Sequence, residues 1–139
     1  MAAITLTSVP GRFTRLLAAQ TTTTTSWVQT PGYPCIAIVY VLGTVAGTNW
    51  ILTIKAANPS IAAVGALDDT HAATIFTSAT VTATGLHSYL IDPRATAVAD
   101  AAGAPTSVVV PQTVPAIMGV TVTPTGSTYS TAVEFRRLT

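Results

Sequence analysis

Charge is what this chain has least of. Six Lys and Arg and five Asp and Glu stand among 139 residues, 8% where an ordinary soluble domain has roughly 25%. Lysine occurs once, at Lys55, and the formal net charge is +1. There is no basic stripe for a phosphate backbone, so no nucleic-acid partner is expected. Cys35 is the single cysteine, which excludes a disulfide framework and a cysteine metal cage. Long apolar runs are missing too. The longest, residues 35–42, is strand-length and far short of the roughly 18–20 residues of a membrane helix, so no membrane partner is expected. No compact apolar segment follows a basic start, so no signal peptide is expected. Nor does any long segment carry the i, i+3, i+4 apolar pattern of a helix.

Threonine, alanine and valine fill the space, and the β-branched residues among them favour strands. The chain is one domain in length, enough to bury about 68–70% of its unfolded surface. Residues 33–59 organise it. Ile36, Ile38, Tyr40 and Leu42 share one parity and Ala37, Val39 and Val41 the other, so this strand is apolar on both faces. Gly43, Gly47 and Asn49 mark a turn, and Leu52, Ile54 and Ala56 alternate with Thr53 and Lys55 on the return. The pair reads as a long β-hairpin, stopped at Asn58-Pro59 because proline cannot donate to a ladder.

Further strands follow at 8–12-residue spacing, the signal of a sandwich or barrel. Trp27 anchors a strand at residues 26–30. Residues 60–69 read as a loop of small residues. Residues 72–84 alternate, with Phe76 on the polar parity, which predicts a break near Thr77-Ser78. Residues 87–91 end at Asp92-Pro93, residues 94–105 read as a long loop, and residues 107–110 stop at Pro111. Val114 to Val122 line one face of a strand, Thr125-Gly126-Ser127 makes a hairpin loop, and Tyr129, Thr131, Val133 and Phe135 face inward beyond it. The expected fold is all-β: a single-domain β-sandwich or jelly roll of about eight antiparallel strands over residues 26–139. Residues 1–25 are expected to be an extended N-terminal arm ordered by a neighbour, with an ordinary first strand of the same domain as the other reading. The arm carries Arg12, Phe13, Arg15 and Leu16, then five threonines at residues 21–25.

Candidate chemistry is sparse. Asp68, Asp69 and His71 are the densest polar cluster, but neighbours on a strand point to opposite faces and no second histidine stands at ligand spacing; a polar loop explains them. His87, Asp92 and the serines Ser78 and Ser88 supply triad residue types without a G-x-S-x-G elbow. No Gly-Lys-Ser/Thr follows Gly43 and Gly47, so no phosphate cradle forms. No catalytic residue, metal or cofactor is expected. Trp27, Trp50, Tyr33, Tyr40, Tyr89 and Tyr129 offer either a sugar-stacking platform or core anchors, and Trp50, at a strand start, is the expected exposed aromatic. Arg136 and Arg137 pair with a partner's carboxylates or form a solvated tail.

A free monomer this poor in charge has little protection against association, so much of the surface is expected to be covered by neighbouring subunits. A neutral, Thr-wetted soluble domain is the other route to this composition. Three stretches carry a resemblance: GTVAGTNWILTIKAANP at 43–59, TATGLHSYLIDP at 82–93 and VTVTPTGSTYS at 120–130. Each is an apolar strand, a Gly/Thr turn or an aromatic-alternating strand, and together they resemble small β-sandwich structural proteins of tailed bacteriophages. The resemblance implies a virion protein on the capsid exterior, a capsid decoration (cement) or minor capsid protein, with no enzymatic activity. Its implied partners are the major capsid protein and copies of itself, a trimer suiting a lattice threefold. The alternative it implies is a tail or head-fibre module binding host-surface glycans. The residues expected at partner contacts are Arg12, Phe13, Arg15, Leu16, Trp50, Arg136 and Arg137.

Overall fold

The computed structural model describes residues 6–8, 13–43, 49–96 and 107–138. These form ten strands and one short helix: β1 (Leu6–Ser8), β2 (Phe13–Gln20), β3 (Thr24–Gln29), β4 (Cys35–Gly43), β5 (Asn49–Ala57), α1 (Pro59–Ala63), β6 (Ala73–Thr77), β7 (Gly85–Ile91), β8 (Ser107–Val110), β9 (Ile117–Thr125) and β10 (Tyr129–Arg137). Two five-stranded sheets pack face to face. Sheet I has the order β1-β3-β9-β5-β6, and sheet II the order β2-β10-β4-β7-β8. The expected single-domain β-sandwich is the observed architecture. Most pairs are antiparallel, but an outer strand of each sheet, β1 on β3 and β8 on β7, pairs in parallel.

The two expected hairpins are corrected. β4 and β5 do not pair; β4 lies between β10 and β7 in sheet II, and β5 between β9 and β6 in sheet I. The connection therefore arches from one sheet to the other. β9 and β10 are related in the same way, with Ser127 Oγ donating to the Asn49 carbonyl at 2.8 Å where the two arches meet. Alternation fixes which face of a strand is covered, but it leaves the hydrogen-bonding neighbour open.

The core follows from that arrangement. Ala37, Val39 and Val41 of β4, Tyr89 and Ile91 of β7, and Tyr129, Val133 and Phe135 of β10 meet Leu52 and Ile54 of β5 and Met118, Val120 and Val122 of β9. The break expected near Thr77-Ser78 is real: β6 ends at Thr77, and Ser78 turns back onto β5, its N–H donating to the Leu52 carbonyl and its Oγ accepting from the Leu52 N–H at 2.9 Å. Val81 continues that ladder against Trp50.

Residues 60–69, expected to be a loop, lie within an excursion from 58 to 72 that includes the helix α1. Asn58 caps α1, its side chain accepting from the Ser60 N–H at 3.0 Å, with Pro59 in the first turn where no donor is needed. The excursion folds over the outer face of sheet I. There Leu67 joins Trp27, Ala57 and Ile117 in a second small core. Trp27 lies flat on Gly119, where a β-carbon would sit 2.7 Å from its ring. Among the described residues no helix is long and apolar enough to cross a membrane.

Residues 13–20 are part of the sandwich. β2 is the outer strand of sheet II, paired antiparallel with β10 through a bulged register, and Leu16 and Leu17 pack against the main core. Ala19, at φ 49°, carries the irregularity, and its N–H donates to Ser130 Oγ at 3.0 Å.

Candidate functional site

Among the described residues, no segment of the chain covers the outer face of sheet II. Pairing register places its outward side chains in rows across the strands. Ser130, Leu42 and Leu86 form one; Ala132, Tyr40, Ser88 and Ser107 the next; Glu134, Ile38, Leu90 and Val109 a third; Arg136 and Ile36 the last. The middle of the face is apolar. Leu42 is 40% exposed and Leu86 57%. Together with Arg15, Tyr40, Ser130, Thr131 and Ala132 they line a shallow groove of about 130 Å³. This is the second face of β4, the one whose apolar residues Ile36 to Leu42 find nothing opposite them within the described chain. Sheet I differs, because residues 58–72 lie on it.

The charges of this face sit along its β2–β10 margin. Arg136 donates to Glu134 from Nε at 2.8 Å and from a terminal nitrogen at 3.3 Å, and the Tyr40 hydroxyl donates to the same carboxylate at 2.9 Å. Hydrogen bonds from Arg136 hold the Glu134 carboxyl below the usual range, against the opposing pull of burial, with Tyr40 adding to the effect. Tyr40 shifts up, first through burial and then through Glu134.

The residues expected at partner contacts scatter. Arg12 lies outside the described residues. Phe13 opens β2 opposite Glu134. Arg15 is exposed on the sheet II face and Leu16 is half-buried against the core. Trp50 corrects the expectation of an exposed aromatic: it is 2% exposed, its ring 5.3 Å from His87 and 6.4 Å from Tyr89. A turn-proximal aromatic is drawn inward here because the arch carries it across the sandwich. Arg136 is exposed but already paired within its own strand. Arg137 stacks its guanidinium 3.9 Å above the Tyr33 ring.

The aromatics do not share a platform. Trp27, Trp50, Tyr89 and Tyr129 are buried, in two different cores or between the sheets. Tyr33 stands instead at one end of the sandwich, in a pocket of about 470 Å³ with Pro31, Pro34, Pro59, Pro93 and Val114.

The catalytic candidates occupy separate environments. His71 Nδ1 lies 2.7 Å from Asp68 Oδ1 in the exposed loop over sheet I, and this contact lowers the Asp68 carboxyl. Asp69 receives Lys55 Nζ at 2.8 Å and the Thr25 hydroxyl at 3.0 Å on the outer face of sheet I. His87 is buried between the sheets, with Nε2 3.1 Å from the Ala83 carbonyl. Asp92 closes the far end of β7, where the Arg94 side chain and N–H depress its carboxyl. Five residues of strand separate it from His87, roughly 16 Å. Among the described residues no three His, Cys, Asp or Glu converge to hold a metal ion.

No protein-family model matches the chain, and no curated protein or solved structure gives a match.

The open face is half legible in the sequence. Its signal is the apolar second parity of residues 36–42. The contribution of Leu86, Leu90 and Val109 is not legible, because it depends on which strands flank β4.

Proposed function

We propose that the protein is a structural subunit of a tailed-bacteriophage particle, a capsid decoration or minor capsid protein that works as a homo-oligomer on the shell exterior. One observation carries this reading: among the described residues the outer face of sheet II is apolar and uncovered, in a chain with very few charges, whereas sheet I has its own cover. Such a surface is stable in water when another protein lies on it. The resemblance of residues 43–59, 82–93 and 120–130 to phage sandwich proteins supports reading the particle as a phage capsid. The mechanism is mass action. A subunit that binds the assembled lattice and not its free parts lowers the free energy of the assembled state and raises the barrier to its rupture. No bond is made or broken, and no catalytic group is required.

The test uses purified particles of the virus that encodes the chain, lacking it. Added protein is expected to sediment with the shells and to raise the temperature at which they release their genome. Protein that stays in the supernatant at every concentration contradicts the reading.

Tyr33 supports a second reading, a tail or head-fibre module that binds host-surface glycans. It is a half-exposed aromatic lining a pocket, and the ring face that Arg137 leaves uncovered is the one a pyranose ring would stack on. Binding on a glycan array that is lost in Tyr33→Ala favours it; an array without hits removes it.

A further inference from the structure

We infer that the outer face of sheet II is a self-association surface on which two copies of this chain pack about a two-fold axis running along β4. The inference rests on the reading of the chain as an assembly subunit and commits that reading's largest open surface to one occupant.

Charge selects the class of partner. Among the described residues, the face bears no charged side chain away from the β2–β10 margin. At the margin Glu134 is satisfied within its own copy by Arg136 and Tyr40. Burying the face therefore strands no carboxylate, and away from Arg15 at the margin a charged partner would find nothing to pair with. The occupant is another apolar, nearly uncharged surface, and the face itself is one.

Shape selects the copy. β4 is the middle strand of five, so a two-fold along it lays the whole sheet on its duplicate. β7 of one copy then lies over β10 of the other. That seats the protruding Leu86 above the groove beside Tyr40, Ser130 and Ala132, and the reciprocal contact follows by symmetry. Ile36, Ile38 and Tyr40 meet their own counterparts, and Arg15 comes over Ser107.

Area is sufficient. Strands about 4.8 Å apart and about 3.3 Å per residue, seven residues deep except at the four-residue β8, give each face a footprint of roughly 500 Å² before side-chain relief. Two faces hide on the order of 1,000 Å², the floor for a specific interface. The product is a four-layer stack of sheets I, II, II and I. It buries the uncharged faces and leaves Lys55, Asp68, Asp69 and His71 on the two outer surfaces.

Sedimentation equilibrium of the intact chain is the test. The wild-type protein is expected to dimerise with a dissociation constant of about 10 µM or tighter. Leu86→Lys and Leu42→Lys, both at exposed positions, should keep the thermal midpoint and weaken the dimer at least about tenfold. Val64→Lys, 78% exposed on the other side of the molecule, should leave it unchanged. Mixing Leu86→Cys with Ser130→Cys chains under oxidation should yield the mixed disulfide dimer. Within one chain β7 and β10 are two strand spacings apart, too far for that bond.

A chain that stays monomeric at roughly 100 µM overturns the inference, as does a dimer indifferent to both lysine variants or a mixture that never cross-links. If the monomer still binds particles and Leu86→Lys abolishes that binding, the face belongs to the shell protein: the self-association fails and the proposed function stands. A dimer of the expected geometry that never joins a particle does the opposite: the self-association stands and the proposed function fails.

Discussion

Gly43 and Trp50 meet at the arch between β4 and β5, where a β-carbon on Gly43 would lie 2.9 Å from Trp50 Nε1. The glycine ends one sheet's central strand and the tryptophan begins a strand of the other, so their contact fixes how the chain crosses the sandwich. Gly43→Ala is expected to destabilise the fold by about 1–3 kcal/mol through overpacking, read as a lower urea midpoint at unchanged slope. An unchanged midpoint would show that the indole is free to move.

The N-terminal segment makes a prediction opposite to that of an arm. Removing residues 1–25 takes away β1 and β2, uncovers the edge of β10 and withdraws Leu16 and Leu17 from the core. Half-burial of two leucines is worth about 1.5–3 kcal/mol. The truncated chain should melt at lower temperature and aggregate more readily through its new edge. A truncation with wild-type thermal stability would return the segment to the role of an arm.

Acid should weaken the fold in a defined direction. Glu134 and Asp92 have depressed carboxyls, each held down chiefly by the side chain of an arginine two residues on. A depressed group stabilises the fold above its unfolded value, about 4.3 for Glu and 3.9 for Asp, and that contribution fades as pH falls through the folded value. Stability measured by urea titration should therefore decline between about pH 5 and 3, and more shallowly in Glu134→Gln. Identical profiles for the two proteins would remove Glu134 from the account of acid sensitivity.

Cys35 should resist modification. It is buried at the start of β4, and desolvation pushes its thiol above the ordinary value, so little thiolate forms near neutrality. A thiol reagent at pH 8 should label it slowly in the native protein and rapidly in urea. Fast native labelling would mean that this end of the sandwich opens readily.

Much of the fold is legible because strand parity is a local property. Tyr129, Thr131, Val133 and Phe135 alternate as inward-facing residues and all are buried; Phe76 signals the break at Thr77; Pro59 and Pro111 mark strand ends. Strand partners are not legible. β4 hydrogen-bonds to β7 and β10, dozens of residues away, and a short Gly-rich connection between two apolar strands defaults to a hairpin. Trp50 shows the cost. Its neighbours His87, Tyr89 and Val81 come from distant segments, so local sequence places it at a surface turn while the arch buries it. The candidate site suffers the same way: Ile36, Ile38 and Leu42 announce a second apolar face, but its width depends on Leu86, Leu90 and Val109 lying beside them.

A cryo-electron-microscopy map of the assembled particle, at a resolution that shows side chains, tests the central claim most directly. The chain should appear on the outside of the shell with Leu42 and Leu86 covered by protein and the Lys55–Asp69 side of sheet I facing solvent. A particle without the chain, or one that displays Leu42 and Leu86 to water, would contradict it.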